Sequence, residues 1–153
     1  LELFEKIFGY KSKSFIAPCY TWNPNIEERL FEMGVIGIQG MLYQRVPGGK
    51  SIRHWMGNRN SLGQIYSIRN AFFEPTENNR IDNEDDCLYR IKCAFRWFKP
   101  AIISSHRINF IGSIHEENRN SNLRKFDNLL SRIIHQWPDV EFMSSDQLFE
   151  LMR

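Results

Sequence analysis

The sequence has no apolar run long enough to span a membrane and no signal-peptide pattern, so no segment predicts a transmembrane helix. Neither sign of charge dominates. Twenty basic and eighteen acidic residues leave +2, so the overall balance predicts neither a nucleic-acid partner nor an anionic membrane. Cysteine is scarce: Cys19, Cys87 and Cys93 cannot all pair within one chain, and no CxxC or Cys/His metal spacing occurs. Reduced, mostly buried thiols follow from this. There is no GxSxG elbow for a serine hydrolase. An initiating methionine is also lacking, and Leu1 stands inside an apolar pattern, so a fragment or an absent beginning is expected. Compartment stays open.

What is present is a chain of 153 residues, 42% apolar and 14% aromatic. That length suits one domain over residues 1–153, burying about 68–70% of its unfolded surface. Leu3, Phe4, Ile7 and Phe8 have helical spacing, with Gly9 as a stop. Ser14–Ala17 reads as a strand, and a helix runs from near Asn25 to before Gly34. Val35–Gln39 is a second strand and Gln64–Asn70 a third, separated by a basic, mobile loop over 44–63. The polar run from Thr76 to Asp86 leads into a helix carrying Leu88, Ile91, Ala94, Phe95 and Phe98. Pro100 ends it, and Ala101–Ser105 is a fourth strand. Leu123, Phe126, Leu129, Leu130, Ile133 and Ile134 predict a core helix over 121–136. Val140–Met143 reads as a fifth strand, and Ser144 or Ser145 caps a last helix. Strands alternating with helices predict α/β architecture with parallel pairing.

QRVPGGKS, residues 44–51, stands one residue from a phosphate-binding P-loop. Neither an immediately preceding strand nor an apolar helix after it supplies the geometry that motif needs. AIISSHRINF, residues 101–110, is more informative, because an apolar strand ends on Ser105, His106 and Arg107. Adjacent strand residues point to opposite faces, so Ser105 and His106 do not form a nucleophile–base pair. In α/β folds ligands bind where strands end, and an imidazole there suits proton transfer to a leaving group. Glu74 follows Arg69 and Asn70 off the third strand. It fits either a fixed ion pair or a general base or its orienter. Tyr20, Trp22 and Trp55 are candidates for stacking on sugar rings, and equally for plain core or rim positions.

FIAPCY (15–20), the strand ending IISSHR (102–107) and the closing WPDVEFMSSDQLFELM (137–152) resemble the later part of NodB-type polysaccharide deacetylases. The resemblance implies a partial irregular (β/α) barrel with its early strands missing, acting on a cell-surface or capsular polysaccharide. It implies His106 as general acid and Glu74 as the acidic group tuning the base. By the same resemblance Pro18 and Tyr20 line the groove; in the reading it implies, Tyr20 and Trp22 shape it, Arg107 and Asn109 fix the histidine or the sugar, and Arg69 is a further substrate-binding candidate. The family binds a zinc-like divalent metal through an Asp-His-His triad. This chain has no Thr-Phe-Asp-Asp and no His-x-x-x-His, its histidines being His54, His106, His115 and His135, so it supplies no ligands of that set. An open strand edge near residues 14–17 would call for a preceding segment or another chain to cover it. Two other classes fit the same residues: a carbohydrate-binding protein without catalysis, and a glycoside hydrolase pairing Glu74 with a second carboxylate.

Overall fold

A computed structural model of the chain describes residues 1–77 and 83–153. These residues form a mixed α/β protein with five α-helices and three small sheets. They fall into two compact units, residues 1–68 with 143–153, and residues 69–142. No helix among the described residues is long and apolar enough to cross a membrane.

In the first unit α1 (Glu2–Phe8) ends on Gly9, whose φ of 75° is the left-handed cap that glycine takes without strain. Strands β1 (Ser14–Ile16) and β2 (Gly37–Gly40) run parallel, joined through α2 (Ile26–Glu32). The segment expected to be a loop is instead an antiparallel hairpin, β3 (Tyr43–Val46) and β4 (Lys50–Arg53). Gly48 and Gly49 turn it, with φ of 96° and 89°. The would-be P-loop glycines therefore serve a β-turn. Strand β5 (Ile65–Ile68) then pairs parallel with β2, giving the order β1-β2-β5 and leaving β1 at an edge. Ile38 and Tyr66 are in register across this sheet and pack with Ala17 and Trp22. The last helix, α5 (Ser145–Leu151), opens on a capping box. The Ser144 hydroxyl accepts from the Gln147 amide, and the Gln147 side chain accepts from the Ser144 amide. Its Phe149 ring lies against Gly37 so closely that a Cβ there would overlap it.

In the second unit β6 (Ala71–Phe72) and β7 (Ile103–Ser104) pair parallel, with Phe72 opposite Ser104. The predicted strand over Gln64–Asn70 thus ends at Ile68, and a separate short strand follows Asn70. The Asn70 side chain holds the segment before β7, donating to the Pro100 carbonyl and accepting from the Ile102 amide. Helices α3 (Asn83–Arg96) and α4 (Glu116–Gln136) cover the pair through Phe73, Cys87, Leu88, Ile91, Leu129 and Ile133. Each such buried side chain contributes about 1.5–3 kcal/mol. Helix α4 begins at Glu116 rather than at residue 121, and Leu123 and Ile134 of its stripe are exposed. Residues 140–143 form no strand; the apolar pattern finds no ladder partner. Part of the polar run from Thr76 to Asp86 lies outside the described residues. Burial pushes the Cys87 thiol up to about 12, with Asp86 adding to the shift, so it is inert; Cys93 is half-buried and Cys19 exposed.

Candidate functional site

The parallel register of β6 and β7 places Glu74 and His106 at matching positions, each two residues past the paired Phe72 and Ser104. The backbone of both strands ends there, so both side chains belong to the carboxyl end of the pair. Glu74 Oε1 lies 2.7 Å from His106 Nδ1 and accepts a hydrogen bond from it. That bond fixes the tautomer and leaves Nε2 without a protein partner among the described residues. Glu74 Oε2 accepts from the His106 amide at 3.2 Å and from Asn109 Nδ2 at 2.7 Å. The carboxylate is thus clamped on both oxygens. Its side chain is 14% exposed, whereas that of His106 is 59% exposed. The arrangement is a shielded acceptor behind an accessible imidazole.

Asn109 is the keystone beneath the pair. It sits in a short 3-10 turn, Arg107–Phe110, and is fully buried. Its Nδ2 also lies within bonding distance of Ser105 Oγ and the His106 carbonyl, while its Oδ1 accepts from the Thr76 amide. Asn122 on α4 donates to the Asn109 carbonyl and to Thr76 Oγ1. Asn118 bonds the carbonyls of Ile108 and Ile111. Sequence reasoning passed over Thr76, Asn118 and Asn122. The only signal was two asparagines four residues apart at the start of a helix, which reads as a solvated turn unless their partners are known.

The remaining predicted residues are distributed as follows. Arg69 donates to Ser104 Oγ at 3.1 Å, so Glu74 is not its ion-pair partner. Arg107 is exposed beside His106. Pro18, Tyr20 and Trp22 belong to the other unit. There Pro18–Tyr20 form a turn in which Cys19 and Tyr20 take φ of 49° and 55°, a left-handed conformation that costs non-glycine residues about 1–3 kcal/mol each. Tyr20 is half-buried and Pro18 exposed. Trp22 is 4% exposed and lies in the core instead of on a surface. Its Nε1 donates to the buried Glu27, which also accepts from Tyr66 and Asn60. Those donors satisfy a carboxylate that burial would otherwise make costly.

Glu77 brings a second carboxylate to the pair. Ligand atoms of Glu74, Glu77 and His106 all lie within 4.8 Å of one another. These residue types suit a divalent cation. They do not reproduce an Asp-His-His set, and Glu74 and His106 are already each other's hydrogen-bond partners. No family model matches the chain, and no curated protein or solved structure resembles it closely enough to count as a match.

Proposed function

We propose that the chain is part of a polysaccharide deacetylase-like hydrolase in which His106 is the general acid. The observation that supports this is the accessible imidazole held through Nδ1 by a shielded carboxylate at the end of two parallel strands. In the protonated state Nε2 carries the proton for the departing sugar amine or alcohol. Transfer leaves a neutral imidazole that keeps its Nδ1 proton, and the Nδ1 bond to Glu74 keeps the ring oriented. Asn109 and the His106 amide hold Glu74, so the ring is positioned by groups that need not move during reaction. The parallel strands and their covering helices are the elements from which an open (β/α) barrel of this type would be built. The metal that such a family uses would bind through residues this chain does not contain.

The strained turn at Cys19–Tyr20 is consistent with a groove segment, since such backbone strain clusters at functional sites. A carbohydrate-binding protein without catalysis is the second reading, favoured by the missing Asp-His-His set. Acetate release from an acetylated polysaccharide, measured with the polypeptide that supplies the Asp-His-His set present, separates the two. Deacetylation that a chelator abolishes, and that His106→Ala lowers by about 10²–10⁴-fold, is expected of the deacetylase. Binding with no acetate released contradicts it, and an unchanged rate in the variant removes His106 from its role.

A further inference from the structure

All eighteen acidic residues lie outside residues 33–73, a stretch that carries Arg45, Lys50, Arg53, Arg59 and Arg69. The hairpin β3–β4 lies at its centre. Its cross-strand pairs Tyr43 with Arg53 and Arg45 with Ser51 put these four side chains on one face. The opposite face is turned inward through Gln44 and His54, which are both buried. Every residue of the outward set, and Trp55 beyond it, is exposed. The Arg53 guanidinium stacks 4.0 Å from the centre of the Trp55 ring and 6.0 Å from that of Tyr43. Stacking engages only the flat face of a guanidinium, so its N–H edge still points outward. Neither Arg45 nor Arg53 is paired with a carboxylate among the described residues.

We infer that this face binds an anionic polysaccharide, one bearing a carboxylate on its sugar rings. The inference rests on the deacetylase reading and names the substrate class for it. A uronic acid ring has an apolar C–H face beside an in-plane carboxylate, and the hairpin offers aromatic rings beside guanidinium edges. Bidentate N–H···O bonds make arginine suited to that carboxylate. The Tyr43 and Ser51 hydroxyls are positioned for sugar hydroxyls. Single-stranded nucleic acid is the competing polyanion, but two cations on this face of a chain of net +2 fall short of the concentrated basic face it requires. The hairpin is tied to the strained turn, since Thr21 bridges Arg45 and the Trp22 amide donates to the Arg45 carbonyl. A glycan on this face therefore continues from the proposed groove segment.

Calorimetric titration with hexagalacturonate, neutral hexa-N-acetylchitohexaose and a dT20 oligonucleotide tests this. The expected result is binding of hexagalacturonate alone, weakening as salt is raised. Arg45→Glu/Arg53→Glu is expected to weaken it more than about tenfold. Trp55→Ala, which alters no charge, lowers affinity without changing the salt dependence. Tighter binding of dT20, equal binding of the neutral hexamer, or full hexagalacturonate affinity in both variants overturns the inference. Because hexagalacturonate carries no acetyl group, its binding does not depend on catalysis. Binding without acetate release from any substrate sinks the deacetylase reading alone; acetate release with hexagalacturonate ignored sinks this inference alone.

Discussion

Glu74 and His106 are 2.7 Å apart although 32 positions separate them, and the bond runs from the imidazole Nδ1 to one carboxylate oxygen. The other oxygen faces Asn109, which is wholly buried. A histidine anchored in this way keeps one nitrogen for the protein and offers the other outward. The consequences extend from the turn that carries Asn109 to the helix that holds it.

Asn109→Ala is expected to cost stability and to lower activity by a route separate from that cost. Truncation leaves Glu74 Oε2, the Thr76 amide and Ser105 Oγ with fewer partners. An unsatisfied buried polar group costs about 1–3 kcal/mol, readable as a lower urea midpoint. At a temperature where the variant is still folded, kcat falls while KM holds, because the loss concerns orientation and not binding.

Gly37→Ala is expected to destabilise the first unit by about 1–3 kcal/mol, since its methyl group would overlap the buried Phe149 ring. Phe149→Leu alone is destabilising as well. The double variant should be more stable than the sum of the two losses implies, and simple additivity in urea unfolding would show that the two do not touch.

His54 stacks between Tyr66 and Trp22, and its Nε2 lies 2.8 Å from Gln44 Oε1. Burial lowers its pKa from the ordinary 6.5, with Glu27 opposing the shift. The unfolded chain then binds a proton that the folded chain resists, so stability is lost as pH falls from about 6.5 toward the lowered folded value. His54→Phe keeps a ring in the stack and removes the titration. Across pH 7.5 to 5.5 its unfolding free energy should change less than that of the unmodified protein, and equal slopes would exclude His54 as the source.

Much of the scaffold was legible where local chemistry and tertiary packing agree. The Ser144–Gln147 capping box, the glycine stop at Gly9 and the Leu129–Ile133 core of α4 follow from short-range rules. The hairpin was not legible because its inward positions are polar. Gln44 is buried only because its amide reaches the Trp22 carbonyl and His54, and no period-2 apolar pattern marks it. Trp22 was misplaced for a related reason, as an indole is acceptable in a core once Glu27 takes its N–H. At the candidate site the strand end with His106 and Glu74 could be read from chain order. The clamp formed by Asn109, Thr76 and Asn122 could not, because it depends on contacts that span 13 to 46 positions.

The most direct test of the account is the protonation state of His106, read by long-range ¹⁵N–¹H correlation above the pH at which the ring is charged. The expected result is a neutral ring protonated at Nδ1, with Nε2 bare, and loss of that preference in Glu74→Gln. A neutral ring protonated at Nε2 would mean that Glu74 does not hold it, and the proton-delivery role would fall with that bond.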